Sequence, residues 1–148
     1  MRTRILVAAV VVLAASAGTS HADLKPALAE QNLEKRSQLA LENAKSSYQE
    51  LRAAYDKGEH EKATAAIKEI DESVELSHTS LNQTGKNPRK SPKYFKQAEI
   101  TTRDLLRRLD NFQREMSFDD RPMLDATIKK LQKVHDDLLV GLMEGKKK

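Results

Sequence analysis

Four stretches of this chain carry apolar residues at alternating three- and four-residue spacing, and the first two stop at glycines. That spacing draws one apolar stripe along an α-helix and leaves its remaining surface polar. A helix of this kind gains little stability alone, so its stripe must be covered by another element. The first stretch, Leu24 to Lys57, offers Leu41, Ala44, Tyr48, Leu51 and Tyr55, and Gly58 follows as a helix stop. The second, Glu59 to Thr84, offers Ala63, Ile67, Ile70, Val74, Ser77 and Leu81 before Gly85. The third opens at Ser91-Pro92, an N-cap followed by proline at the first helical position, and runs through Phe95, Ala98, Thr102, Leu105, Leu109, Phe112 and Met116. The fourth follows Ser117-Phe118-Asp119-Asp120, which resembles a capping box, and carries Leu124, Ile128, Leu131, His135, Leu138 and Leu142.

Short links join the first segment to the second and the third to the fourth, while Gly85 to Lys90 makes a longer middle connection. Short links set consecutive helices antiparallel, so the expected fold is all-α: an up-down-up-down four-helix bundle made of two helical hairpins. The first segment, read as one helix of about 34 residues, would reach roughly 50 Å at 1.5 Å per residue. It would outrun its partners, and its overhang would be free to fray or to meet a second copy. Glu99 with Arg103, Asp104 with Arg108 and Asp110 with Arg114 stand four residues apart, as solvent-face ion pairs do.

The residues before the bundle have the form of an export leader. Arg2 and Arg4 precede the apolar run Ile5 to Ala15, and Ser20-His21-Ala22 supplies a small-x-small cleavage pattern. The apolar run is too short for an ordinary transmembrane helix. Residues 1–22 are therefore expected to be a cleaved signal peptide, residues 23–145 the bundle and residues 146–148 a basic tail, with the product periplasmic or secreted. Loss of Arg2 and Arg4 from the 26 basic residues leaves 24 against 22 acidic ones, so a formal charge of +4 falls to about +2. The absence of cysteine excludes disulfides, thiol catalysis, thiolate metal sites and lipidation at cysteine.

Ala54-Tyr55-Asp56-Lys57-Gly58-Glu59-His60-Glu61-Lys62-Ala63 resembles the turn of a tetratricopeptide hairpin, with Gly58, His60 and Ala63 at matching positions. The likeness covers residues 44–70, about one repeat, and implies a helical hairpin there. Arg107-Arg108-Leu109-Asp110 and Asp119-Asp120-Arg121-Pro122 give the chain a similarity to small exported all-helical bacterial proteins of unassigned function, which implies no chemistry.

Little in the sequence points to catalysis. No phosphate-binding glycine loop, Ser-His-Asp grouping or metalloprotease helix motif occurs. Asp119 and Asp120 sit where acids favour a helix start. A non-catalytic module without a cofactor is the expectation. The alternative is a metal- or haem-binding bundle. Glu75-Leu76-Ser77-His78 is one copy of the Glu-x-x-His element that bundle metal sites use in pairs, and His135 would lie at similar depth on a helix running the same way. For haem, Met116, Met123 and Met143 are the available thioether ligands, and core packing accounts for the first two.

Charge placement is the more informative pattern. In this bundle the middle connection and both chain termini would share one end. That end would gather Lys86, Arg89, Lys90, Lys93, Lys96, Lys146, Lys147 and Lys148, and the other Asp56, Glu59, Glu61, Glu115, Asp119 and Asp120. A basic pole suits an anionic envelope surface or an acidic protein partner. Nucleic acid suits it poorly, because export and the shortage of aromatics beyond Tyr94 and Phe95 remove the usual base-stacking surface.

Overall fold

The computed structural model describes residues 22–145, so the expected leader up to His21 and the tail Lys146–Lys148 lie outside the described residues. Helices α1 (Lys25–Ala29), α2 (Leu33–Asp56), α3 (His60–Gln83), α4 (Lys93–Glu115) and α5 (Asp125–Glu144) follow in order, with a 3-10 turn at Arg121–Leu124. The four long helices pack against one another as a four-helix bundle, with no strand among the described residues. Every residue of the third stripe is buried, from Phe95 to Met116, as is every residue of the second from Ala63 to Leu81. The core residues lie between Ala27 and Leu138. A chain starting at Ala22 therefore contains every one of them.

Small side chains dominate the contact of α2 with α3. Ser37, Ala40, Ala44 and Ser47 face Ala63, Ala66, Ser73 and Ser77, all buried, which lets the two backbones approach closely. Several polar side chains there bond across the interface, while the Ser47 hydroxyl turns back to the Asn43 carbonyl of its own helix at 2.8 Å. Ser37 Oγ and Ser77 Oγ share a 2.7 Å hydrogen bond, and Asn43 Nδ2 donates to Ser73 Oγ at 2.9 Å and to Glu69 Oε1 at 2.8 Å. Gly58 turns the chain between them at φ 70°, a left-handed conformation that costs glycine little. The tetratricopeptide-like patch is thus a helical hairpin turn with Ala63 in the core and His60 exposed.

Larger groups seat α4 and the turn that follows it on α2. Phe112 takes Tyr48 and Tyr55 edge-on at centroid distances of 6.4 and 5.4 Å, and the Arg52 guanidinium covers its face at 4.6 Å while pairing with Glu115 at 2.7 Å. The Tyr55 hydroxyl accepts from the Ser117 amide and donates to Asp120 Oδ2, both at 3.0 Å. The Ser117 hydroxyl also donates to Asp120, at 2.6 Å. These bonds tie the α4–α5 turn to the end of α2. Ser117 and Asp120 thus bind each other rather than capping a helix, and the 3-10 turn intervenes before α5.

The hairpins lie side by side in the same sense. Gln38 meets Gln97 near the starts of α2 and α4, and Tyr48 reaches Arg108 further along, so these helices are parallel neighbours. Glu75 meets Lys130, and Thr127 bonds Asp71, so α3 and α5 are parallel neighbours too. The link from α3 to α4 consequently crosses the bundle diagonally, a course that its greater length permits.

Three sequence expectations are corrected. The first segment is not one helix of about 34 residues but two, broken at Glu30–Asn32. Glu30 is extended, Asn32 Oδ1 caps the Lys35 amide at 2.9 Å, and Arg36 Nε donates to the Glu30 carbonyl at 2.7 Å. These bonds end α1 and start α2 without glycine or proline at the break. Among the described residues α1 does not overhang: it folds back on α2, buries Ala27, and brings the Ala22 amide to the Glu50 carboxylate. The described start of the chain therefore lies well along α2, not at the end that the middle connection occupies. Ser91, expected to cap α4, makes no capping bond; Pro92 occupies the cap position and its carbonyl accepts from Lys96 at 2.7 Å.

Candidate functional site

The end of the bundle that carries the middle connection is built around Asn87. Its carbonyl accepts from the Lys90 and Ser91 amides at 3.1 and 2.9 Å, and its side chain accepts from the Arg89 amide at 2.9 Å. Pro88 is buried against the last turns of α5. A Cβ at Gly141 would stand 3.2 Å from Pro88 Cγ, so glycine there is what lets the loop seat on the helix. Gly145 lies against Asn87 and Arg89, and Lys146 follows it in sequence. The loop is therefore a fixed platform rather than a loose connection.

The cations on this platform divide into two groups. Lys86 pairs with Glu34 at 2.5 Å and Lys93 lies 5.1 Å from the Tyr94 ring centre, so both are partly engaged. Arg89, Lys90 and Lys96 are exposed, and their side chains make no hydrogen bond or ion pair among the described residues. Lys146, Lys147 and Lys148 lie outside those residues. The acidic end is more mixed than the sequence suggests. Glu115 is held by Arg52 and Glu59 by Lys62, while the Ser117 and Tyr55 hydroxyls hold the Asp120 carboxyl below its ordinary range.

The residues considered for a metal have separate partners. Glu75 pairs with Lys130 at 3.3 Å on the surface, and His78 meets the Asn82 amide at 3.3 Å. His135 Nε2 contacts Glu99 Oε1 at 3.0 Å, and its Nδ1 contacts Asp136 at 3.3 Å. Among the described residues no group of three or more histidines and carboxylates is placed to hold a metal ion. The Glu99–His135 pair is not legible in the sequence. There Glu99 reads as a solvent-face partner of Arg103, yet its side chain is only 9 % exposed and Arg103 stands at 3.6 Å. Asp71 is missed for the same reason. Burial at the α3–α5 contact raises its pKa despite the Thr127 hydrogen bond, and its Oδ1 has no partner.

Burial lowers the pKa of His78; nearby Asp137 opposes the shift and Lys133 adds to it. A histidine with a folded pKa below its unfolded value is neutral in the fold. Its contribution is complete above the ordinary value of about 6.5, begins to fall there, and is lost as pH drops through the lowered folded pKa. His78→Gln is expected to flatten part of the decline in Tm between about pH 7.5 and about pH 5.5. Parallel melts would check this, and an unchanged decline would contradict it.

Comparison with protein families, with curated proteins and with solved structures found no match to the chain. No helix among the described residues is long and apolar enough to cross a membrane.

Proposed function

We propose that the chain is an exported, non-catalytic helical module of the cell envelope that engages an anionic surface or an acidic partner through its basic end. The observation that supports this most directly is the set of Arg89, Lys90 and Lys96, exposed and without side-chain partners on a platform that Asn87 and Pro88 hold in place. Because the backbone that carries Arg89 and Lys90 is already held, binding phosphate or carboxylate groups has to order side chains but not the loop itself. Export rests on the Arg2 to Ala22 pattern.

Reversing Lys86, Arg89, Lys90 and Lys93 to Glu tests the reading. A basic residue near an anionic membrane contributes about 1 kcal/mol, so losing four lowers affinity by about a thousandfold or more. The chain from Ala22 to Lys148 should sediment with anionic liposomes or bind polyglutamate at low salt, and the reversed variant should do neither. Undiminished binding by the variant, or no binding to either by the parent chain, would sink the proposal.

A further inference from the structure

Four large aliphatic side chains on the α4–α5 hairpin are left in solvent: Ile100 is 52 % exposed, Leu139 39 %, Val140 48 % and Met143 69 %. Their position follows from the pairing of the two helices. Contacts of Glu99 with His135 at 3.0 Å and of Gln113 with Asp125 at 2.8 Å set α4 and α5 antiparallel, so the last turns of α5 lie beside the first turns of α4. Leu139 stands one turn beyond His135 and Lys96 about one turn before Glu99, so the register of the Glu99–His135 contact puts both at the same level of the α4–α5 hairpin. Met143 follows Leu139 by another turn, and Gly145 ends α5 against Arg89. Exposed aliphatic groups therefore adjoin the three unpartnered cations. Of the acids nearby, Asp136 is taken up by Gln132 and His135, Asp137 lies near His78, and Glu144 is also engaged.

We infer that this end of the bundle is a membrane-interface site, in which Leu139, Val140 and Met143 enter the headgroup region of an anionic bilayer while Arg89, Lys90 and Lys96 meet its phosphates. The inference rests on the basic-end reading above and narrows its partner from any anionic surface to a lipid one. A soluble acidic polymer matches the cations but offers nothing to cover the aliphatic side chains. A second copy of the chain would bring its own cations against these, which opposes pairing through this end. A bilayer with anionic headgroups meets both needs on one surface, and peripheral proteins bind it through buried apolar area plus attraction to anionic lipid.

The chain contains no tryptophan, so Met143→Trp supplies a single reporter at the site. A chain from Ala22 to Lys148 keeps the described core residues and omits the apolar run Ile5 to Ala15, which could enter lipid by itself. With vesicles containing phosphatidylglycerol, emission from the indole introduced by Met143→Trp should shift to the blue and be quenched by lipids brominated on their acyl chains. A Phe118→Trp reporter at the other end should do neither. Leu139→Ser combined with Met143→Ser should weaken vesicle binding about tenfold and leave polyglutamate binding unchanged. These side chains are exposed, and unaltered circular dichroism would confirm that the fold survives. Vesicle binding with the Met143→Trp indole still in water, or with no loss in the double serine variant, would overturn interfacial insertion while leaving the basic-end reading standing. Binding of polyglutamate or an acidic protein but not of vesicles would overturn it in the same way. Failure to bind either would remove both.

Discussion

Phe112→Ala is expected to cost about 3–5 kcal/mol of folding stability. The Phe112 side chain is 2 % exposed and stands where three elements converge, with Tyr48 and Tyr55 from α2 on its edges and the α4–α5 turn beyond. Alanine would leave a cavity that its neighbours cannot readily fill, because Tyr55 is fixed through its hydroxyl to Ser117 and Asp120. Arg52 would lose the ring beneath it and keep only its pair with Glu115. Against a total stability of about 5–15 kcal/mol for an ordinary domain, that is a large part of the whole. Urea titration gives the value. Phe118→Ala is the control, since Phe118 is 82 % exposed and its removal should change stability by about 0.5 kcal/mol or less. A loss below about 1 kcal/mol for Phe112→Ala would contradict the packing described.

The second large effect concerns the pair between α4 and α5. His135→Leu is expected to cost about 1–3 kcal/mol, because it removes the hydrogen bond at 3.0 Å and leaves the buried Glu99 carboxylate short of a partner. Arg103, at 3.6 Å and largely in solvent, compensates only in part. Combining His135→Leu with Glu99→Met should recover most of the loss, since an apolar pair of similar volume no longer requires a buried charge. Denaturant titration of the two single variants and the double one measures the coupling directly. If the double variant is as unstable as the sum of the singles, the contact is not the interaction that holds these side chains.

How much of this is legible in the sequence depends on the range of the interaction. The stripes of α3 and α4 are local signals, and every position from Ala63 to Leu81 and from Phe95 to Met116 read off the spacing is buried. Gly58 marks its turn because a left-handed residue has few alternatives. Glu99 misleads because its neighbour Arg103 on the same helix is visible in the sequence, whereas His135 becomes its partner only through the register of α5. The break at Glu30–Asn32 is hidden because side-chain capping ends α1 and starts α2 without glycine or proline at the break. At the basic end, the loop lysines and arginines can be named from the sequence. Which of them remain unpaired cannot, since Glu34 reaches Lys86 from the start of another helix. The same division holds for the exposed aliphatic residues of α5. Leu139, Val140 and Met143 already fall off the stripe in the sequence, and what only the packed bundle shows is that the end of α5 that carries them meets the loop of Arg89.

The side-by-side arrangement of the hairpins also bears on the order in which the chain folds. Contacts of α2 with α3 join residues 26 to 40 apart, while those of α2 with α4 join residues about 60 apart. Closing the longer loop costs more entropy and returns nothing until both hairpins exist. The α2–α3 hairpin, with its short turn at Gly58 and close small-residue contact, is thus the natural nucleus. Docking of α4 and α5 onto it becomes the later step, so the platform that presents Arg89 and Lys90 is completed only when α5 closes over Pro88.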